Sequence, residues 1–178
     1  MVDKSIYNYW LWFIKGSGGN PGYWRIINRW IIFHIFVGFC LTYLVKIDLT
    51  SCANTVILPL AAIFVGLSFA WVGNAQALLQ SERMEPIYKR KKGGFIEYLY
   101  TFQTAILVLL TSLVLWGLAG LQVFDKTWPT TANQDSYNLI KFLLFANSSI
   151  ALRECWHVVL AVQWMLITQD ELKKHNKN

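Results

Sequence analysis

The densest group of chemistry-bearing residues lies between positions 138 and 163. Arg153-Glu154-Cys155-Trp156-His157 follows the apolar run 142–152 and precedes a second, 158–168. In a helix turning about 100° per residue, Asn138, Lys141, Ser149, Arg153, His157 and Gln163 fall on one stripe. Glu154 stands about 100° off it. Guanidinium, imidazole and ammonium groups in such a row suit anion binding, proton exchange or the lining of a water path. An ionisable side chain within a membrane span costs about 2.5–3.5 kcal/mol. The stripe must therefore face protein or water rather than lipid.

A second Arg/His pair stands earlier, at Arg29 and His34. Its R-x4-H spacing is that of the HEPN ribonuclease motif. In HEPN nucleases an Arg and a His meet across a dimer and cleave RNA through its 2′-hydroxyl, without metal. Five helical residues put Arg29 and His34 about 140° apart, which works against joint action. Arg153 and His157 share a face, but their spacing is one residue shorter. Arg29 reads more simply as a boundary anchor that snorkels to headgroups, and His34 as a packing residue.

These groups need a scaffold, and the composition says which kind. The 178 residues are 55% hydrophobic, 16% aromatic and only 15% charged. Soluble domains hold about 45–50% apolar and 25% charged residues. Disorder is excluded, and four apolar segments approach the roughly 20 residues that a spanning helix needs. They run from about 24 to 45, 56 to 79, 98 to 121 and 137 to 168. Pro59 falls in the opening turn of the second, where a missing N–H is tolerated. The expected fold is an all-α integral membrane protein, one domain over 1–178, with four transmembrane helices assembled as a homo-oligomeric ring. Residues 4–14 carry Ile6, Trp10, Phe13 and Ile14 at helical spacing, which predicts a short interfacial helix. The short pieces left over hold no soluble catalytic domain.

Lys and Arg set orientation. The loop 81–94 carries Arg83, Lys89, Arg90, Lys91 and Lys92. The tail 169–178 carries Lys173, Lys174 and Lys177, and the N-terminal side Lys4, Lys15, Arg25 and Arg29. Those twelve of sixteen basic residues put both termini and the loop in the cytoplasm, with the bacterial inner membrane as the expected location. The three cysteines form no CxxC motif, and neither a metal site nor a cofactor is expected. A pairing of Cys40 with Cys52 stays open. Cys155 reads as an inert residue of its span.

A basic four-span chain of this size, with a loose Arg–His motif, resembles the small membrane accessory proteins of type VI-B CRISPR systems. In those loci a guide-directed, HEPN-containing RNA nuclease is encoded beside a small membrane partner with a divergent HEPN-like motif. The resemblance covers the whole chain in size and layout. It implies a pore-forming effector that acts with the nuclease to disturb the cell envelope during phage infection. The matching residues are Arg153 with His157, or Arg29 with His34. The shortened spacing at Arg153 leaves an inherited nuclease role without support, and the chain is not expected to be an enzyme.

Three readings follow. In the first, several copies surround a pore lined by the 138–163 stripe, an octamer being the expected size. In the second, Lys89-Arg90-Lys91-Lys92 recruits a soluble partner or anionic lipid, and the chain is an anchor; direct nucleic-acid binding is not expected. In the third, Arg153, Glu154 and His157 serve a small membrane enzyme. The bland alternative to all three is an interhelical network, with Arg153 held by Glu154 or Glu97. The fourth span, about 48 Å at 1.5 Å per residue, exceeds the roughly 30 Å hydrocarbon core and must tilt or project into the cytoplasm.

Overall fold

The computed structural model describes residues 8–16, 21–80, 94–125 and 133–175, with the side chains of 79, 94–96 and 171–175 excepted. The expected loop cations Lys89, Arg90, Lys91 and Lys92 lie outside the described residues. Every regular element among the described residues is helical. They are α1 (Tyr9–Lys15), a 3-10 turn (Gly22–Arg25), α2 (Ile31–Leu44), α3 (Leu49–Cys52), a π-helical turn (Ala53–Ile57), α4 (Leu58–Leu79), α5 (Gly94–Gly120) and α6 (Gln134–His175). Helix α6 is the central element, packed against α2, α4 and α5.

Among the described residues, three helices are long and apolar enough to cross a membrane: the continuous rod Leu49–Leu78, Glu97–Gly120 and Gln134–Asp170. The expected first span, 24–45, is α-helix only over Ile31–Leu44, 14 residues or about 21 Å. Local chemistry explains the late start. The Asn28 side chain accepts from the Trp30 amide at 2.9 Å and donates to the Arg25 carbonyl at 2.9 Å. Such Asx bonding holds the backbone in turns rather than a helical ladder.

The expected second span begins earlier than position 56. Asp48 caps a helix at Leu49, its carboxylate accepting from the Ser51 amide at 2.8 Å. Polar residues that argue against a span here find backbone partners. Thr55 donates to the Ser51 carbonyl, and Thr50 and Asn54 donate to the carbonyls of Ala119 and Gly120. Pro59 therefore lies inside a continuous rod, just past the π-helical turn, rather than at its start.

Of the expected interfacial helix 4–14, residues 4–7 lie outside the described ones; the rest is helical in α1 (Tyr9–Lys15), which docks on protein. Trp12 is buried, its indole N–H donates to Glu97 at 2.7 Å, and Tyr9 hydrogen-bonds Thr104 at 3.1 Å. Trp10 and Ile14 remain exposed on its other face. Trp12 also closes over Gly22: a Cβ there would sit 2.6 Å from the ring.

The core is built by α4, α5 and α6. Trp116 is fully buried against Phe145, with its indole N–H donated to Ser148 at 2.6 Å. Phe102 packs with Val72, Val158 and Val162 one level further along. Around this core, α2 exposes Ile32, Phe33, Ile35, Phe36 and Phe39.

Candidate functional site

The α2–α6 seam carries the polar chemistry. Gly38 of α2 sets the spacing, because a Cβ at that position would lie 2.7 Å from the Cβ of Ala146. Close backbone approach at a small residue lets polar side chains bridge the two helices.

Three members of the expected stripe are used along this seam. Lys141 is buried, and its ammonium donates to the Val45 and Ile47 carbonyls past the end of α2. Ser149 shares a 2.8 Å hydrogen bond with His34 Nδ1. Arg153 reaches the lead-in to α2, donating to the Arg25 carbonyl at 3.2 Å and to Asn28 Oδ1 at 3.3 Å. Lys141 and Arg153 are about 18 Å apart along α6, close to the 21 Å length of α2. The spacing of the stripe thus matches the helix that it holds.

Glu154 is the centre of the cluster. It is 0% exposed. Arg153 donates to its Oε1 from Nη2 at 2.8 Å and from Nε at 3.1 Å. Arg25 donates to its Oε2 from Nε at 3.3 Å. The side chains of Arg153 and Arg25 are 11% and 28% exposed. A buried carboxylate between two guanidiniums has both oxygens satisfied, which is the condition for tolerating its desolvation. The trio keeps one net positive charge.

The two Arg/His pairs are rearranged. Arg29 is exposed, whereas His34 is 4% exposed and turned to α6. His157 is exposed, within electrostatic reach of Arg25, Arg153 and Glu154. The seam thus sets His34 of the first pair, hydrogen-bonded to Ser149, within electrostatic reach of Arg153 of the second. His34 Nε2 is buried with no hydrogen-bond partner among the described residues. Asn138 is half-buried, and Gln163 is exposed. The stripe expected to line a lumen therefore divides: Lys141, Ser149 and Arg153 engage the chain's own α2 and its lead-in, and His157 and Gln163 are exposed.

The alternative anchor for Arg153, Glu97, instead holds Trp12. Cys40, Cys52 and Cys155 are free thiols, so the open pairing of Cys40 with Cys52 does not form. Cys155 accepts a hydrogen bond from Ser68 at 3.5 Å. Arg25 and Asn28 were missed as site residues. Their signal was an Arg three residues before an Asn, at the start of an apolar run that opens with no other N-cap.

No family model, no characterised protein and no solved structure matches the chain.

Proposed function

We propose that the chain is one subunit of a homo-oligomeric membrane pore. All four apolar segments serve as spans in this reading, with Gly22–Trp30 completing the short α2. One observation carries it: His157 and Gln163 are exposed on α6, within the segment long and apolar enough to cross a membrane. Polar groups at that depth are stable against water or protein, not lipid. A ring of copies supplies both. His157 and the Arg25–Glu154–Arg153 cluster then turn toward a shared axis, and the net positive charge favours anions.

The proposed location is the bacterial inner membrane, with both termini and the 81–94 loop in the cytoplasm. The distribution of basic residues supports it. The proposed setting is antiphage defence beside an RNA-guided RNA nuclease that opens or enhances the pore, and an octamer is the expected size. Resemblance in size, layout and Arg–His spacing supports both.

Native mass spectrometry of the detergent-solubilised particle, with anion flux from vesicles, tests the reading. A closed ring whose flux changes in His157→Ala is expected. The His157 side chain is exposed, so this variant leaves the seam intact, whereas Arg153→Ala disturbs Glu154 as well. A second reading is favoured by the engagement of Lys141, Ser149 and Arg153 within the protomer. In that reading the chain is a membrane anchor and the stripe only holds α2. A monomer to trimer with no flux would select it.

A further inference from the structure

Helices α4 and α6 pack side by side. They leave a groove of about 470 Å³, walled by Phe64, Leu67 and Trp71 of α4 and by Leu152, Trp156 and Val159 of α6. A smaller recess of about 190 Å³ adjoins it, sharing Phe64, Leu152 and Cys155 and reaching Leu109 and Ser112 of α5. Ser68 and Cys155 satisfy each other inside the groove, so its walls present almost no unmet polar group.

The groove's polarity changes at one end. Ser68 meets Cys155, and further along Val72 and Ala75 pack with Val158 and Val162, so the two helices run in the same direction. Asn74 is seven residues past Leu67, and Gln163 is seven past Trp156. Seven residues is about two turns, which returns each amide to the groove face of its helix. Measured from the Ser68–Cys155 contact, the amides lie about 9 and 12 Å along, nearly level with one another. Both are exposed.

We propose that this groove binds one acyl chain of a membrane phospholipid, with the amides of Asn74 and Gln163 meeting its ester and headgroup oxygens. The inference rests on the reading that α4 and α6 cross a membrane. The side recess selects an alkyl chain over a partner helix: a flexible chain enters a space that a rigid 10 Å rod cannot. The volume falls in the range of small-ligand sites, about 300–1,000 Å³. The amide pair supplies the donors that an amphiphile needs at one end only.

The test uses full-length protein in phosphatidylethanolamine/phosphatidylglycerol vesicles doped with a phosphatidylethanolamine bearing a mid-chain diazirine. After photolysis, adducts are mapped by mass spectrometry. They are expected on peptides holding 64–71 and 152–159 well above those of the exposed α2 face. Leu67→Trp and Leu152→Trp, both at exposed positions, fill the groove. Each should lower groove labelling about tenfold, the effect of about 1.4 kcal/mol of lost affinity, with α2 labelling unchanged. Even labelling of groove and α2, or no response to either Trp, overturns the proposal. So does disulfide cross-linking between copies at Leu67→Cys, which assigns the groove to a second subunit. Flotation of the same vesicles separates the two claims. A chain that fails to co-float refutes the membrane reading and the site with it. A chain that co-floats but labels evenly refutes the site alone.

Discussion

Replacing Glu154 by Gln removes the one negative charge that holds two guanidiniums at the α2–α6 seam. The isostere keeps the volume but offers one acceptor oxygen where the carboxylate offered two. Its NH2 must then point at a donor, either Arg25 Nε or the Arg153 fork, whose present distances are 3.3 Å and 2.8–3.1 Å. Removing one partner of a buried ion pair costs about 3–5 kcal/mol. Arg25 is 28% exposed and recovers some hydration, which favours the lower end. In a chain of this size about 1 kcal/mol moves the melting point by about 2–4 °C, so a fall of about 6–12 °C is expected. The assay is a thermal melt of the detergent-solubilised protein followed by intrinsic Trp fluorescence. The control replaces Glu154 by Leu and both Arg25 and Arg153 by Met. Exchange of a whole buried network for apolar residues is often neutral or stabilising, so this variant should melt near the parent. A Glu154→Gln protein melting within about 2 °C of the parent would refute a desolvated carboxylate clamped between two arginines.

Gly38→Leu should loosen the seam, since even a Cβ would meet Ala146 at 2.7 Å. Overpacking of this kind costs about 1–3 kcal/mol or more, read as a lower melting point, with Gly38→Ala intermediate. Lys141→Met takes the ammonium donor from the carbonyls of Val45 and Ile47, residues that are half-buried and exposed, so a loss of only ~1 kcal/mol is expected, read as a slightly lower melting point. Asp48→Ala removes the cap of α3 at about 0.5–2 kcal/mol, measured in the same melts. Hydrogen bonds from Ser51 hold the Asp48 carboxyl below its ordinary value. Its contribution is therefore present above the unfolded value of about 3.9 and lost as pH falls through the lower folded one. The gap between Asp48→Ala and the parent should narrow only in that acid range, and a constant gap down to pH ~2 would exclude a charge effect.

Long apolar runs needed no tertiary information. Charge-free stretches in the second and third segments can only be helices that hide their backbone polar groups, and both are helices. The placement of polar residues on one stripe of α6 was also legible, because 100° per residue is local geometry. The stripe's use was not. Whether Lys141, Ser149 and Arg153 face a lumen or a neighbour depends on which helix lies opposite, and Gly38 against Ala146 decides that. Over 24–30 the first segment is turn and 3-10 helix rather than α-helix for a related reason. Composition shows an apolar run, but Asn28 bonds the backbone on both sides and Arg153 binds the Arg25 carbonyl from 128 residues away. Glu154 looked peripheral when measured against its own helix, about 100° from the stripe. Arg25, arriving from the lead-in to α2, makes it the centre. Sequence alone determines what cannot be exposed to lipid, because that is a property of each residue. Only the tertiary structure decides what covers it, because burial of a charge requires a partner from another part of the chain.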